Sequence, residues 1–157
     1  MHHVNISQER LVQFAAYLMI KSLGGDSAQL ESYKAQLWRL SRGSREERMG
    51  FTSCLRDIIE RFEGGGVTLD NELREAGLPT YTEVEVSRGK RLDSILLRGS
   101  LRSYDDYDLA VRILGGGIRG LEPESLQTLE SAVRKYRTSS HVGKMIRKVF
   151  GSEAKSP

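Results

Sequence analysis

Residues 44–66 read "SREERMGFTSCLRDIIERFEGGG", the stretch that shows most clearly how this chain folds. Ser44 followed three positions later by Glu47 is the signature of a capping box, in which both side chains accept hydrogen bonds from backbone N–H groups at a helix start. The apolar residues that follow are spaced four, three and four positions apart, and therefore share one helical face: Phe51, Leu55, Ile58 and Phe62. Three glycines at 64–66 end the pattern, so the stretch predicts one amphipathic helix.

The same combination of a cap, an apolar stripe and a glycine stop recurs along most of the chain. A first helix is predicted over about 7–23, with Asn5 and Gln8 as its N-cap pair, and a second helix begins at Asp26. Further helical patterns lie at 69–76, at 90–99, after Ser103, behind Pro123 and after 140. We therefore predict a mainly α protein of about seven helices in an orthogonal or bundle-like array.

The length of 157 residues is that of a single domain with one hydrophobic core. We place this domain at residues 1–150, with an N-terminal three-helix half at 1–63 and a C-terminal helical half at 67–150. The remaining residues, 151–157, are predicted to form a frayed tail.

The segment "YTEVEVS" (81–87) leaves two alternatives open. Its residues alternate, with Thr82, Val84 and Val86 on one side, which is typical of a short strand or one arm of a hairpin. The same residues are also compatible with a helix capped by Thr82 together with Glu85.

The composition is that of a globular chain, with 38% hydrophobic and 29% charged residues. A single cysteine, Cys54, excludes an internal disulfide framework and any multi-cysteine zinc site, and it favours a reducing, cytoplasmic location. The most apolar run, residues 11–20, is well short of the length that spans a bilayer. We expect neither a signal peptide nor a transmembrane segment.

Three aspartates in "SYDDYDLAVRILGGGIRGLEP" (103–123) raise the hypothesis of a carboxylate site. A Mg²⁺ or Ca²⁺ site requires oxygen ligands that converge on one point. Successive helical residues turn by about 100°, so Asp105 and Asp108 share one side of a helix while Asp106 points away. The favoured interpretation is a helix start, with Ser103 as the N-cap and two acids at the positive end of the helix dipole.

The glycines of the same stretch, Gly115, Gly117 and Gly120, match the spacing of the dinucleotide-binding fingerprint. That fingerprint requires a helix that begins inside the motif and an acidic residue about twenty positions further on. Here the next helix is predicted to start at about Pro123, and residues 138–142 read "TSSHV". We interpret the glycines as a helix end followed by a loop, and we expect no cofactor.

Positive charge is concentrated at the C-terminal end. Residues 134–157 carry seven Lys or Arg and one Glu, against eight basic and twelve acidic residues at 64–133. Candidate contacts with a partner are the cations and the histidine of this block: Arg134, Lys135, Arg137, His141, Lys144, Arg147 and Lys148. A secondary basic patch precedes it in the chain: Arg88, Lys90, Arg91, Arg98 and Arg102. The alternative interpretation is that these residues form a solvated helix face, whose cations interact favourably with the negative C-terminal end of the helix dipole.

These patterns favour a non-enzymatic interaction or adaptor module that self-associates and whose basic C-terminal helix contacts an acidic surface of a protein partner. The first alternative is a nucleic-acid-binding accessory or regulatory protein that uses the same helix. The second alternative is a small enzyme or metal-dependent protein with a carboxylate site near Asp105 and Asp108.

Overall fold

The structure is a computed structural model that describes residues 4–139 of the chain. Within these residues the fold is all helical, with eight α-helices and no strand, which confirms the mainly α prediction. The helices are α1 (Gln8–Leu23), α2 (Ser27–Ser41), α3 (Arg45–Arg61), α4 (Gly66–Glu75), α5 (Tyr81–Ser87), α6 (Arg91–Arg98), α7 (Tyr104–Arg112) and α8 (Pro123–Ser139). The last predicted helix, after 140, lies outside the described residues.

The chain divides into two compact units. The N-terminal unit is Val4–Ser87 and holds α1 to α5, and the C-terminal unit begins at Arg88 and holds α6 to α8. The boundary therefore lies after α5, whereas the sequence-based halves are divided at the glycines 64–66. The assignment of 1–150 to a single domain stays a prediction.

Side-chain caps fix where most helices of the N-terminal unit begin. The capping box of α3 is confirmed, because the Glu47 N–H donates to Ser44 Oγ (3.2 Å) and the Ser44 N–H donates to Glu47 Oε1 (3.1 Å). The predicted Asn5–Gln8 pair is wrong, since α1 is capped by Ser7, which accepts from the Arg10 N–H. Gln8 cannot fold back on Asn5 because its amide donates to the Ser41 carbonyl at 3.0 Å.

Residues 81–87 form the helix α5, so the strand or hairpin alternative is wrong. The cap lies two residues before the predicted one, because Thr80 and Glu83 exchange hydrogen bonds of 2.9 and 3.0 Å between backbone N–H groups and side chains. Thr82 is engaged elsewhere: its N–H and hydroxyl donate to the carboxylate of Asp70 at 3.1 and 2.5 Å.

The N-terminal unit is built around α1, as its nearly all-round apolar sequence predicts. Phe14 and Leu18 of α1 are fully buried, as are Leu55 of α3, Leu73 of α4 and Val84 of α5. Such burial contributes about 1.5–3 kcal/mol for each large side chain and is the main favourable contribution to folding of the unit.

The described residues of the C-terminal unit form three helices, which all contact one another. Its fully buried side chains come from each of them: Leu92 and Ile95 of α6, Leu109 of α7 and Leu129 of α8. After Arg112 the helix α7 widens into a single π-type turn, Ile113–Gly117. Gly116, with φ 95°, turns the chain out of the helix in a conformation that other residues seldom adopt.

Asp70 supplies the test of how α4 and α5 are joined. Both Asp70 and Thr82 are buried, so Asp70→Ala removes the acceptor from a buried hydroxyl and a buried N–H. We expect this change to lower the free energy of unfolding by about 1–3 kcal/mol, measured by urea titration. The control is Asn71→Ala, a change at the adjacent exposed residue, which should change the free energy of unfolding by less than about 0.5 kcal/mol. Equal effects of the two changes would contradict the role given to Asp70.

Candidate functional site

The basic C-terminal block begins on the last turns of α8. Arg134, Lys135 and Arg137 are exposed there, and in the described part of the chain no carboxylate forms an ion pair with them. The other four candidates lie outside the described residues: His141, Lys144, Arg147 and Lys148. The structure therefore places three of the seven predicted contact residues on an open surface.

Arg137 is held in position by an aromatic side chain of α7. Its Nε donates to the Tyr107 hydroxyl at 2.9 Å, and its guanidinium lies 5.5 Å from the centre of the Tyr107 ring. Tyr107 in turn stacks on Tyr136, with ring centres 5.1 Å apart and planes 25° from parallel. Since Tyr136 is buried, this chain of contacts connects an exposed cation to the core of the unit.

An exposed tyrosine completes this surface. Tyr104 is 57% exposed, and its ring centre lies 6.0 Å from that of Tyr107. We call Tyr104, Tyr107 and Arg137 the tyrosine–arginine patch. The helical spacing of Tyr104, Tyr107 and Tyr136 in the sequence is typical of core residues. Tyr136 is buried, as this spacing predicts, but the prediction is wrong for Tyr104, the first residue of α7, whose side chain faces solvent.

The secondary basic patch is largely organised by Asp106. This carboxylate is 7% exposed and accepts from Arg91 Nη1 (2.9 Å), Arg98 Nη2 (3.0 Å) and the Arg102 N–H (2.9 Å). Two of the five predicted cations, Arg91 and Arg98, are thus paired with one acid, which the sequence indicated only as part of a helix start. Arg88, Lys90 and the side chain of Arg102 remain exposed, and no ion pair to them occurs between residues 4 and 139.

Asp106 stays ionised because its donors outweigh the cost of burial. Burial by itself raises the pKa of a carboxyl group, but the hydrogen bonds from the Arg102 N–H and from Arg91, together with the nearby Arg98 charge, lower the pKa of Asp106 below its ordinary value. Asp106 also occupies the third position of α7, where its N–H donates to Ser103 Oγ at 3.1 Å. The predicted cap by Ser103 is thereby confirmed.

The other two aspartates do not form a pair of free carboxylates. Asp105 is exposed at the start of α7, whereas Asp108 accepts from Arg112 Nε at 2.9 Å. Among residues 4–139 there is no group of three or more His, Cys, Asp or Glu side chains that could hold a metal ion. The described structure thus adds no support to the carboxylate-site alternative.

The glycine motif does not lie at a helix start. Gly115 and Gly117 belong to the π-type turn that ends α7, and α8 begins at Pro123, after Gly120. A helix N-terminus therefore does not face the motif, as binding of a pyrophosphate would require. The interpretation as a helix end and loop is confirmed.

Sequence reasoning missed a second arginine surface, on α3. Arg45, Arg48 and Arg56 lie beside an open groove of about 480 Å³. The signal is present in the sequence, because these arginines are spaced three and eight positions apart and therefore share one flank of α3, beside the buried stripe. The net charge of residues 1–63 does not indicate this surface, because eight acids, four of them on α3 itself, nearly balance the nine basic residues.

No helix among residues 4–139 is long and apolar enough to cross a membrane. Comparison of the chain with known proteins gives no further assignment, since no family model, no curated protein and no solved structure matches it.

Asp106 makes the stability of the C-terminal unit depend on pH in the acidic range. Because its pKa is lowered in the folded state, its contribution is present above the unfolded-state value of about 3.9 and is lost as the pH falls through the lower folded-state value. We expect Asp106→Asn to lower the free energy of unfolding by about 1–2 kcal/mol at pH 7 and to flatten its fall below pH ~4. The control is Asp105→Asn, a change at an exposed neighbouring residue. If the free energy of unfolding of Asp106→Asn varied with pH as it does in the wild type, this account would be contradicted.

Proposed function

We propose that this chain is a non-enzymatic adaptor module whose C-terminal unit binds an acidic surface of a protein partner. The observation that carries the proposal is the tyrosine–arginine patch, in which Arg137 is fixed against Tyr107 beside the exposed ring of Tyr104. The exposed cations Arg134 and Lys135 extend the positive charge along α8.

The composition of the patch favours a protein partner. Tyrosine and arginine are enriched among the residues that carry most of the binding energy at protein interfaces. Arg137 is already oriented by its hydrogen bond and its ring contact, so binding costs less side-chain entropy than it would for a free arginine. The neighbouring cations favour an acidic partner and speed its approach.

A nucleic-acid partner for this surface has less support. Non-specific binding of single strands uses exposed aromatic rings on which successive bases stack. Here two of the three rings, Tyr107 and Tyr136, are stacked on each other, and Tyr136 is buried. A single exposed ring fits one anchoring contact with a protein better than a stacking platform.

Self-association and a cytoplasmic location are part of the same proposal. Leu97 on α6 is 90% exposed, which gives the C-terminal unit an apolar side chain that a second copy could cover. Cys54 carries a free thiol, which is compatible with a reducing compartment.

Binding of an acidic ligand is tested with a labelled random copolymer of Glu and Tyr, followed by fluorescence anisotropy. Replacing Arg134, Lys135 and Arg137 together by Gln should weaken binding by about tenfold, because three surface charge contacts are lost. Tyr104→Ala should weaken it further through loss of the aromatic anchor. The matched control, also with three fewer charges, replaces Arg45, Arg48 and Arg56 by Gln and should bind like the wild type. Unchanged binding in the α8 triple variant would contradict the proposal.

Self-association is tested by sedimentation equilibrium at two protein concentrations. The apparent mass should rise with concentration, and Leu97→Lys should return it to the monomer because a charge at an apolar contact opposes burial. Ser100→Lys adds the same charge at a nearby exposed position and is the control. A monomer at both concentrations would remove self-association from the proposal and leave the acidic-partner part standing.

A further inference from the structure

The second arginine surface belongs to α3, in the N-terminal unit. Arg45 and Arg48 are exposed and Arg56 lies further along the same helix. The described residues that line the open groove of about 480 Å³ beside them all belong to this helix: Arg45, Arg48, Met49, Thr52, Ser53 and Arg56. We call Arg45, Arg48 and Arg56 the α3 arginine face.

The charges of the α3 arginine face are not paired with acids within the described part of the chain. None of the three arginines forms an ion pair there, and the one hydrogen bond from their guanidinium groups runs from Arg56 Nη2 to Ser53 Oγ at 3.2 Å. The neighbouring acid Glu47 is committed to the cap of α3, where its Oε1 accepts from the Ser44 N–H. Glu46 is exposed, but it lies about 100° around the helix from Arg45.

The dimensions of the face indicate a ligand with several negative groups. Arg45 and Arg56 are separated by about three helical turns, or about 16 Å of helix axis. A single phosphate or carboxylate cannot contact both ends of such a row. A ligand that contacts the whole row must therefore carry its anionic groups in a line.

We propose that the α3 arginine face binds the phosphate backbone of a nucleic acid. Guanidinium groups bind phosphate oxygens in a bidentate manner and are less strongly hydrated than ammonium groups. Every cation between Gln36 and Gly89 is an arginine, so the whole region has this chemistry. A phosphate backbone supplies one charge per nucleotide along a line, which is the arrangement that the row requires.

The surroundings of the face favour a nucleic acid over an acidic protein. Protein interfaces depend on aromatic or large apolar anchors that enter pockets. Among the described residues that line it, the groove offers one exposed apolar side chain, Met49 (61% exposed), and no aromatic ring. Backbone binding of nucleic acid needs no such anchor, since its free energy comes from the release of counterions.

This inference goes beyond the proposed function, because it gives the N-terminal unit a ligand of its own. An adaptor with both contacts would hold a nucleic acid through α3 and an acidic protein through α7 and α8. The two contacts use different residues, so each can be lost without the other.

The experiment measures binding of the full chain to a fluorescein-labelled oligothymidylate of about 20 nucleotides and to a duplex of equal length, at several salt concentrations. The variant Arg45→Gln/Arg48→Gln/Arg56→Gln should bind both probes at least about tenfold more weakly, and the slope of log affinity against log salt should become shallower by about 2 to 3. Gln has a helix propensity close to that of Arg, and circular dichroism checks that the fold is kept. Arg45→Lys/Arg48→Lys/Arg56→Lys should keep the slope and lose a smaller part of the affinity.

The matched control is the triple variant of Arg134, Lys135 and Arg137, which should bind the oligonucleotides like the wild type while losing the acidic copolymer. Three results would overturn the inference. The first is that the wild type fails to bind either oligonucleotide at about 50 mM salt. The second is that the α3 variant binds the oligonucleotides as tightly as the wild type does. The third is that the α3 variant no longer binds the copolymer but still binds the oligonucleotides, which would make the ligand an acidic protein.

Discussion

The C-terminal unit is organised around the carboxylate of Asp106, which accepts hydrogen bonds from three places in the chain. Arg91 lies at the start of α6, Arg98 at its end, and the Arg102 N–H in the loop before α7. A buried carboxylate requires such donors, because its transfer from water is otherwise very costly. The first turn of α7 is thereby fixed to both ends of α6. The tyrosine–arginine patch depends on this arrangement, since Tyr104 and Tyr107 both belong to α7.

The helices were predictable wherever their signals are local. The capping box of α3 and the glycine that ends α1 need only neighbours in the sequence, and both are found where expected. The errors occur where a distant residue competes for a side chain. Gln8 is taken by the Ser41 carbonyl and Thr82 by Asp70, so their helices are capped by Ser7 and Thr80 instead.

The candidate site was predictable only in part, for the same physical reason. Exposure of Arg134 and Lys135 follows from their positions on an amphipathic helix. The pairing of Arg91 and Arg98 with Asp106 cannot be predicted in this way, because it depends on how α6 packs against α7. Net charge along the sequence therefore overestimates the free positive charge of the secondary basic patch. It also overlooks the α3 arginines, because it subtracts the acids of α3 although none of them forms an ion pair with Arg45, Arg48 or Arg56 in the described part of the chain.

The two proposed surfaces differ in what surrounds their arginines, and this difference determines how each contact responds to salt. On α8 the guanidinium of Arg137 rests on the Tyr107 ring beside an exposed Tyr104, and aromatic contacts are not screened by ions. On α3 the arginines form a row along about 16 Å of helix axis, with no aromatic ring among the described residues of the groove, so the proposed binding there depends on counterion release. In an adaptor built this way, both contacts would weaken as salt rises, since both use exposed arginines. The nucleic-acid contact would weaken more steeply, because the part of the protein contact that the tyrosines supply is not screened.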